Sequence, residues 1–302
     1  MPSLKVGFIG LGRMGLPMSY RLLAAGFNLT VHNRSQDKVR QIAEAGARPA
    51  ESAAQVVGDT DIVLACLPDV ATVEEVFLDE DGIVANARPG QVLVDHSTVG
   101  LEVSRACAAA AEKKGAAFLD APISGGTERA GDGTLTVMVG GPSEAYQRAL
   151  PLFQAMGTTV RHMGPAGTGT VAKLVNQLLV GIHSVAAAEA MLLAAKSGAD
   201  PELVFEVVNS GWGQSFMLAR NAPVMLDRSY SDARAPVKTL LKDLGLLQEL
   251  VRELDTPTPA NDLAFRLFTE AAEAGLGGLD GPAVVLPMEE RAGCRIQRHS
   301  GP

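Results

Sequence analysis

Short apolar runs recur through the first half of the chain, at residues 4–9, 27–32, 61–67, 92–95, 118–121, 135–139 and about 159–162. Runs of this length bounded by turn residues predict strands. Between them lie stretches with apolar residues at helical spacing, such as 17–23 and the alanine-rich 101–114, which predict helices. Strand and helix in alternation make a mostly parallel sheet covered on both faces. After residue 163 the pattern changes. Residues 164–169, GPAGTG, hold three glycines and a proline, enough to turn the chain sharply. From 170 to 196 the spacing predicts one long helix, and 203–208, 215–226, 237–254 and 261–274 predict further helices, with Pro257 and Pro259 in an intervening loop. The fold class expected is α/β: an N-terminal Rossmann-like doubly wound sheet over 1–163, then an all-helical domain over 164–290. The long interdomain helix joins them and is long enough to carry side chains into the crevice where a ligand ends. Residues 291–302 turn polar and charged, which predicts a frayed tail or a short contact with a neighbouring subunit.

The first apolar run leads straight into a glycine-rich turn, VGFIGLGRMG from Val6 to Gly15. Such a turn after a strand and before a helix is a dinucleotide-binding fingerprint. Gly10 allows the tight turn, Gly12 lets the backbone approach a pyrophosphate, and Gly15 lets the helix pack on its strand. Leu11, Arg13 and Met14 complete the cradle, and the helix start offers amides to the phosphate charge. A plain strand-to-helix connection is the alternative, against which the flanking elements argue. The second strand ends Val31, His32, Asn33, Arg34, Ser35, with no acid where a ribose-binding carboxylate belongs. Arg34 can pair with a 2′-phosphate, which an acid would repel, so NADP is expected over NAD. Asp37 lies near enough in sequence to keep NAD possible. Ser97 and Thr98 follow a predicted strand and, with Leu67 and Pro68, are assigned to the cofactor crevice.

Composition narrows the picture further. A hydrophobic fraction of 47% over 302 residues permits one large core or two moderate ones, and a net charge of -8 gives no support to nonspecific nucleic-acid binding. Cys66, Cys107 and Cys294 are too scattered for a disulfide framework and suit a reducing cytoplasm. The five histidines make no compact ligand cluster in sequence, so no metal is expected. The apolar stretch at the N-terminus is too short for a secretory core, and charges and glycines interrupt the alanine-rich stretches, so no membrane association is expected.

Three later segments carry a specific resemblance. DAPISGGTERAG from Asp120, GTGTVAKLVNQ from Gly167 and Lys242-Asp243-Leu244 stand in order after the glycine turn. Together they resemble the beta-hydroxyacid dehydrogenase family, which includes 3-hydroxyisobutyrate dehydrogenases, tartronate semialdehyde reductases and threonate dehydrogenases. The resemblance implies the same two-domain fold and hydride exchange between NAD(P) and the alcohol carbon of a small 2- or 3-hydroxy acid, or the matching aldehyde or keto acid. It makes Lys173 the catalytic residue, relaying the proton of the reacting hydroxyl. Ser124, Gly125 and Gly126 are implied to hold the substrate carboxylate, Asn176 to orient substrate or lysine, and Lys242 to contact substrate or cofactor. Gln177 has weaker support. RAPVK before the KDL element lacks the phenylalanine often found there in hydroxyisobutyrate and tartronate semialdehyde enzymes, which loosens the transfer of their exact substrates. Imine reductases share the arrangement but usually lack a lysine at the position of Lys173, and a nonenzymatic dinucleotide-binding protein leaves Lys173, Asn176 and the SGG turn without a common purpose. Relatives resemble dimers or tetramers, and the apolar segment 277–288 is expected to extend such an interface.

Overall fold

The computed structural model describes residues 4–298, and the chain divides inside its longest helix into one unit ending at Lys173 and another starting at Leu174. The first unit opens with β1 Lys5–Ile9, α1 Gly15–Ala24, β2 Asn28–His32, α2 Gln36–Glu44, β3 Arg48–Pro49, α3 Ala53–Asp59 and β4 Ile62–Ala65. It continues with α4 Val70–Leu78, β5 Val92–Asp95, α5 Leu101–Lys113, β6 Ala117–Asp120 and β7 Ile123–Ser124. Last come α6 Gly126–Asp132, β8 Leu135–Gly140, α7 Ser143–Met156, β9 Gly157–Gly164 and the start of α8 Thr168–Lys196.

β1 pairs parallel with β2 and β4, and β5 and β6 continue the parallel order. β4 and β5 are buried along their whole length, which is why they read as unbroken apolar runs in the sequence. Direction reverses at β8, which lies antiparallel to β6 and β7 and parallel to β9. The expected Rossmann-like sheet is therefore present, with an antiparallel turn-back in its second half. The start of α8 sits hard against two strand ends: a Cβ on Gly169 would lie 2.4 Å from the Met138 carbonyl oxygen and 2.5 Å from that of Asp120.

The second unit is helical, with the rest of α8, then α9 Pro201–Asn209, α10 Phe216–Asp227, α11 Val237–Glu253, α12 Pro259–Ala271 and α13 Leu286–Ala292. Asp200 and Ser215 cap α9 and α10 through their side chains. Pro259 belongs to the first turn of α12 and not to the loop before it, since its missing N–H costs a helix nothing there. Arg220 grips Asp280 through both carboxylate oxygens at 2.8 Å, and Asp280 also accepts from Ala235 N at 2.9 Å, which fixes the segment leading into α11.

Two expectations change here. Ile296 is fully buried, its N–H donates to Glu289 at 2.6 Å, its carbonyl accepts from Arg228 at 3.0 Å, and Arg298 pairs with Asp227 and Glu202. A frayed tail therefore does not describe residues 293–298, and 299–302 lie outside the described residues. In the segment 277–288, Ala283, Val284 and Val285 are buried while Leu279, Leu286 and Pro287 are half-buried, so it leaves less apolar surface for a partner than its composition suggests. Uncovered apolar side chains lie instead on or near α8 to α10, at Leu193, Leu203, Val207, Trp212 and Phe216. Separately, α8, with 29 residues and a stretch of mean hydropathy 1.8, is long and apolar enough to cross a bilayer by those two measures alone. Its inner side is tied to its own unit, with Gly181 against Leu244 and Ser184 accepting from Asn221.

Candidate active site

The glycine turn is built from three different needs. Gly10 has φ +92°, and a Cβ on it would lie 2.4 Å from the Cys66 carbonyl oxygen; one on Gly15 would lie 1.9 Å from the Gly10 carbonyl oxygen. Those two glycines serve the close packing of β1, β4 and α1. A Cβ on Gly12 would meet nothing within 4 Å. The fold itself does not require a glycine there, and the open space above it is the cradle that a dinucleotide backbone would fill. Leu16 N donates to Gly12 O at 3.2 Å as the helix ladder begins, so the turn presents the amide end of α1.

Leu11 is fully buried and its N–H donates to Asn33 Oδ1 at 2.9 Å, while Asn33 Nδ2 donates to Ser35 O at 3.0 Å. Both residues therefore act inward, holding the turn against the end of β2. Arg13 and Arg34 are exposed, Met14 is half-buried, and Ser35 stands at the N-cap of α2 without a side-chain cap bond. Asp37 pairs with Arg40 on the exposed face of α2. Leu67 N donates to Ser97 Oγ at 2.8 Å and Ser97 N donates to Asp95 Oδ1 at 2.9 Å, stapling the ends of β4 and β5 together. Pro68 is exposed and Thr98 half-buried beside them.

His96, which sequence reasoning passed over, sits buried in this staple. Its Nδ1 donates to the Ala121 carbonyl at 2.7 Å, and its ring stands edge-on to Phe153 at 5.8 Å. A carbonyl can only accept, so Nδ1 carries the hydrogen. Burial pushes the His96 pKa down to about 4 against the opposing pull of that hydrogen bond, which keeps the ring neutral at physiological pH.

Ser124 closes β7 half-buried, and Gly125 and Gly126 follow with φ of +140° and +72°. These values require glycine, and a Cβ on Gly125 would lie 2.8 Å from the Arg129 side chain. The pair starts the short helix α6 and is exposed.

Lys173 lies on α8 with only 8% exposure, so it is not a solvated surface lysine. One turn farther along, Asn176 donates to Gln177 Oε1 at 2.9 Å, and the buried Gln177 donates to Asp243 Oδ2 at 2.5 Å. Lys242 Nζ stands 2.9 Å from Asp243 Oδ1. Within the second unit, Asn176, Gln177, Asp243 and Lys242 thus form one polar chain from α8 to α11. Gln177 proves to be its buried centre, a role its sequence position gave no sign of. Among the described residues no group of three His, Cys, Asp or Glu side chains is placed to hold a metal ion.

Comparison with known proteins adds an independent line. The family model described as the NAD binding domain of 6-phosphogluconate dehydrogenase matches residues 5–164, and that described as NAD-binding of NADP-dependent 3-hydroxyisobutyrate dehydrogenase matches residues 167–288. The chain is 39% identical over 285 residues to the NAD-dependent L-serine dehydrogenase of Pseudomonas aeruginosa, covering 91% of this chain and 95% of that protein. A solved 3-hydroxyisobutyrate dehydrogenase from Salmonella typhimurium superposes with a TM-score of 0.86 at 32% identity, covering 94% of this chain and 100% of that one. The Mycobacterium tuberculosis 3-hydroxyisobutyrate dehydrogenase solved with L-serine superposes at 0.85 with 30% identity, covering 95% and 99%.

Proposed function

The chain belongs to the beta-hydroxyacid dehydrogenase family, and we propose on that premise that it uses Lys173 to exchange hydride between NAD(P) and a small 3-hydroxy acid. The oxidoreductase class follows from membership; the substrate and the residue roles are our reading. The observation that carries it is the near-complete burial of Lys173 three residues before Asn176. When bound, the nicotinamide supplies or accepts the hydride. The Lys173 ammonium stabilises negative charge on the substrate oxygen and gives up a proton to it in reduction, and the amine takes that proton back in oxidation. Asn176 orients the reacting hydroxyl. The Ser124 hydroxyl and the amides of Gly125 and Gly126 hold the carboxylate, a task that left-handed backbone suits because it turns successive N–H groups to one side. Lys242, steadied by Asp243, adds a second positive charge for substrate or cofactor.

L-serine and 3-hydroxyisobutyrate, named for the relatives, are both 3-hydroxy acids and head the list of substrates to try. Each acid compared with its neutral amide at a fixed cofactor concentration tests the carboxylate assignment. The acid should react at least about 100-fold more efficiently, the size of a lost charge-assisted pair; equal efficiency would remove Ser124, Gly125 and Gly126 from that role.

The exposed Arg34 and the engagement of Asp37 by Arg40 support NADP as the preferred cofactor. Arg34→Ala should lower kcat/KM for NADP roughly 10-fold or more while changing that for NAD less than about threefold. Equal losses in both would make Arg34 a folding residue. The uncovered Leu193, Val207, Trp212 and Phe216 support a homodimer or homotetramer, since burying each contributes about 1.5–3 kcal/mol. Light scattering over a concentration series should give a multiple of the chain mass, and a monomer throughout would end that reading. Three cysteines without a disulfide suit the reducing cytoplasm we propose as its compartment.

A further inference from the structure

Asp120 ends β6 with a side chain that is almost wholly buried. Its Oδ1 accepts from Gly167 N and its Oδ2 from Thr170 N, both at 2.7 Å. These donors stand at the start of α8, where N–H groups lack partners inside the helix and the helix dipole favours negative charge. Burial pushes the Asp120 pKa up, and the amide bonds from Gly167 and Thr170 oppose that push.

The surrounding sequence is shaped to this carboxylate. A Cβ on Gly140 would lie 2.5 Å and 2.8 Å from its two oxygens and 2.8 Å from Gly169 N. No other residue fits at 140 while strand, carboxylate and helix start stay in place. Thr170 carries the connection outward, its Oγ1 lying 2.9 Å from Ser104 Oγ on α5, the helix that follows Ser97 and Thr98. On the other side, Asp120 is followed by Ala121, whose carbonyl holds His96, and then by the Ser124 to Gly126 turn. One carboxylate therefore ties together the helix that carries Lys173, the segment that leads to the substrate turn, and the helix behind the cofactor loop. Lys173 lies three residues beyond Thr170, on the same side of α8 and about 4.5 Å along its axis.

We propose that Asp120 is a positioning residue for hydride transfer, fixing the start of α8 so that Lys173 stands in register with the substrate turn. The proposal rests on the assignment of Lys173 as the residue that moves the proton. Two acceptor oxygens held rigidly toward N–H donors three residues apart on the helix start are something a carboxylate offers and an amide or hydroxyl side chain does not. A cap that served stability alone would leave no signature in the chemistry.

A double-mutant cycle with Asp120→Asn and Lys173→Ala separates the two roles. The readout is single-turnover hydride transfer with the acid that reacts fastest in the acid and amide comparison, alongside equilibrium binding of NADP. Asp120→Asn should slow transfer about 10- to 100-fold, the effect of a displacement near 1 Å, with NADP affinity within about threefold. In the Lys173→Ala background it should cause no further slowing, because the group it positions is gone. A full-rate Asp120→Asn, or a loss that simply multiplies with that of Lys173→Ala, overturns the proposal. If Asp120→Asn does not fold, Thr170→Val, which keeps the backbone donor and removes the hydroxyl that also bonds Asp120, goes through the same cycle with an expected loss of about 3- to 10-fold and the same two contrary outcomes. Full-rate Lys173→Ala removes the underlying mechanism itself; slow Lys173→Ala with an additive Asp120→Asn removes only the positioning role.

Discussion

Gly12→Ala is expected to leave stability within about 0.5 kcal/mol of the parent while weakening NADP binding at least about 30-fold. The reasoning is geometric. A Cβ at Gly12 meets no atom of the protein within 4 Å, so the folded chain accepts it. The space it fills is the one a pyrophosphate must approach to reach the amides at the start of α1, and a methyl group there holds the phosphates away from them. Gly15→Ala is the control with the opposite signature. Its Cβ would lie 1.9 Å from the Gly10 carbonyl oxygen and 2.9 Å from Phe8, and neither the turn nor the buried ring can yield freely. That substitution should cost roughly 3 kcal/mol of stability, the upper range for overpacking. Chemical denaturation and fluorescence titration with NADPH on both variants read the two effects apart. Unchanged NADPH affinity in Gly12→Ala would mean that the turn is only a strand-to-helix connection.

The pattern of buried and exposed positions explains what the sequence disclosed. Strands such as Ile62–Ala65 and Val92–Asp95 are covered on both faces, so every residue is apolar or internally bonded and the run is unmistakable. The two-residue strands Arg48–Pro49 and Ile123–Ser124 are too short to show a period, and they went unread. Pro259 looked like a loop residue because proline is disfavoured in a helix interior, whereas the first turn accepts it without cost. The ionic anchoring of residues 293–298 depends on Arg228, Glu289 and Asp227, remote in sequence, and a polar composition cannot distinguish an anchored end from a loose one.

For the site, the glycine turn was legible because the packing demands at Gly10 and Gly15 and the open cradle at Gly12 fall within one short turn. Lys173, Asn176 and the Ser124 to Gly126 turn are assigned through their motifs and not through local chemistry. His96 and Asp120 illustrate the limit. Each is a single polar residue after a strand, and what matters is which backbone group it meets: Ala121 O for one, Gly167 N and Thr170 N for the other. Those partners are fixed by the parallel order of β5 and β6 and by the close approach that Gly140 and Gly169 allow. Gln177 similarly looked like an ordinary helix polar residue, and only the 2.5 Å bond to Asp243 reveals its place.

The larger expected effect belongs to Lys173→Ala, which should lower turnover about 100-fold or more. A lysine exposed by only 8% is not a solvated surface charge, and its proposed use is to exchange a proton with a group bound beside it. Alanine at 173 preserves the helix, since it has the highest helix propensity. It leaves Gly10, Gly12 and Gly15 untouched, so the cofactor cradle persists. Steady-state rates alone do not separate lost chemistry from slow product release. The decisive measurement is single-turnover hydride transfer, followed by absorbance of the reduced nicotinamide, in Lys173→Ala beside an equilibrium titration of NADP on the same preparation. Transfer slowed at least about 100-fold with NADP affinity within a few fold is expected; transfer at the parent rate with normal binding would remove Lys173 from the chemistry.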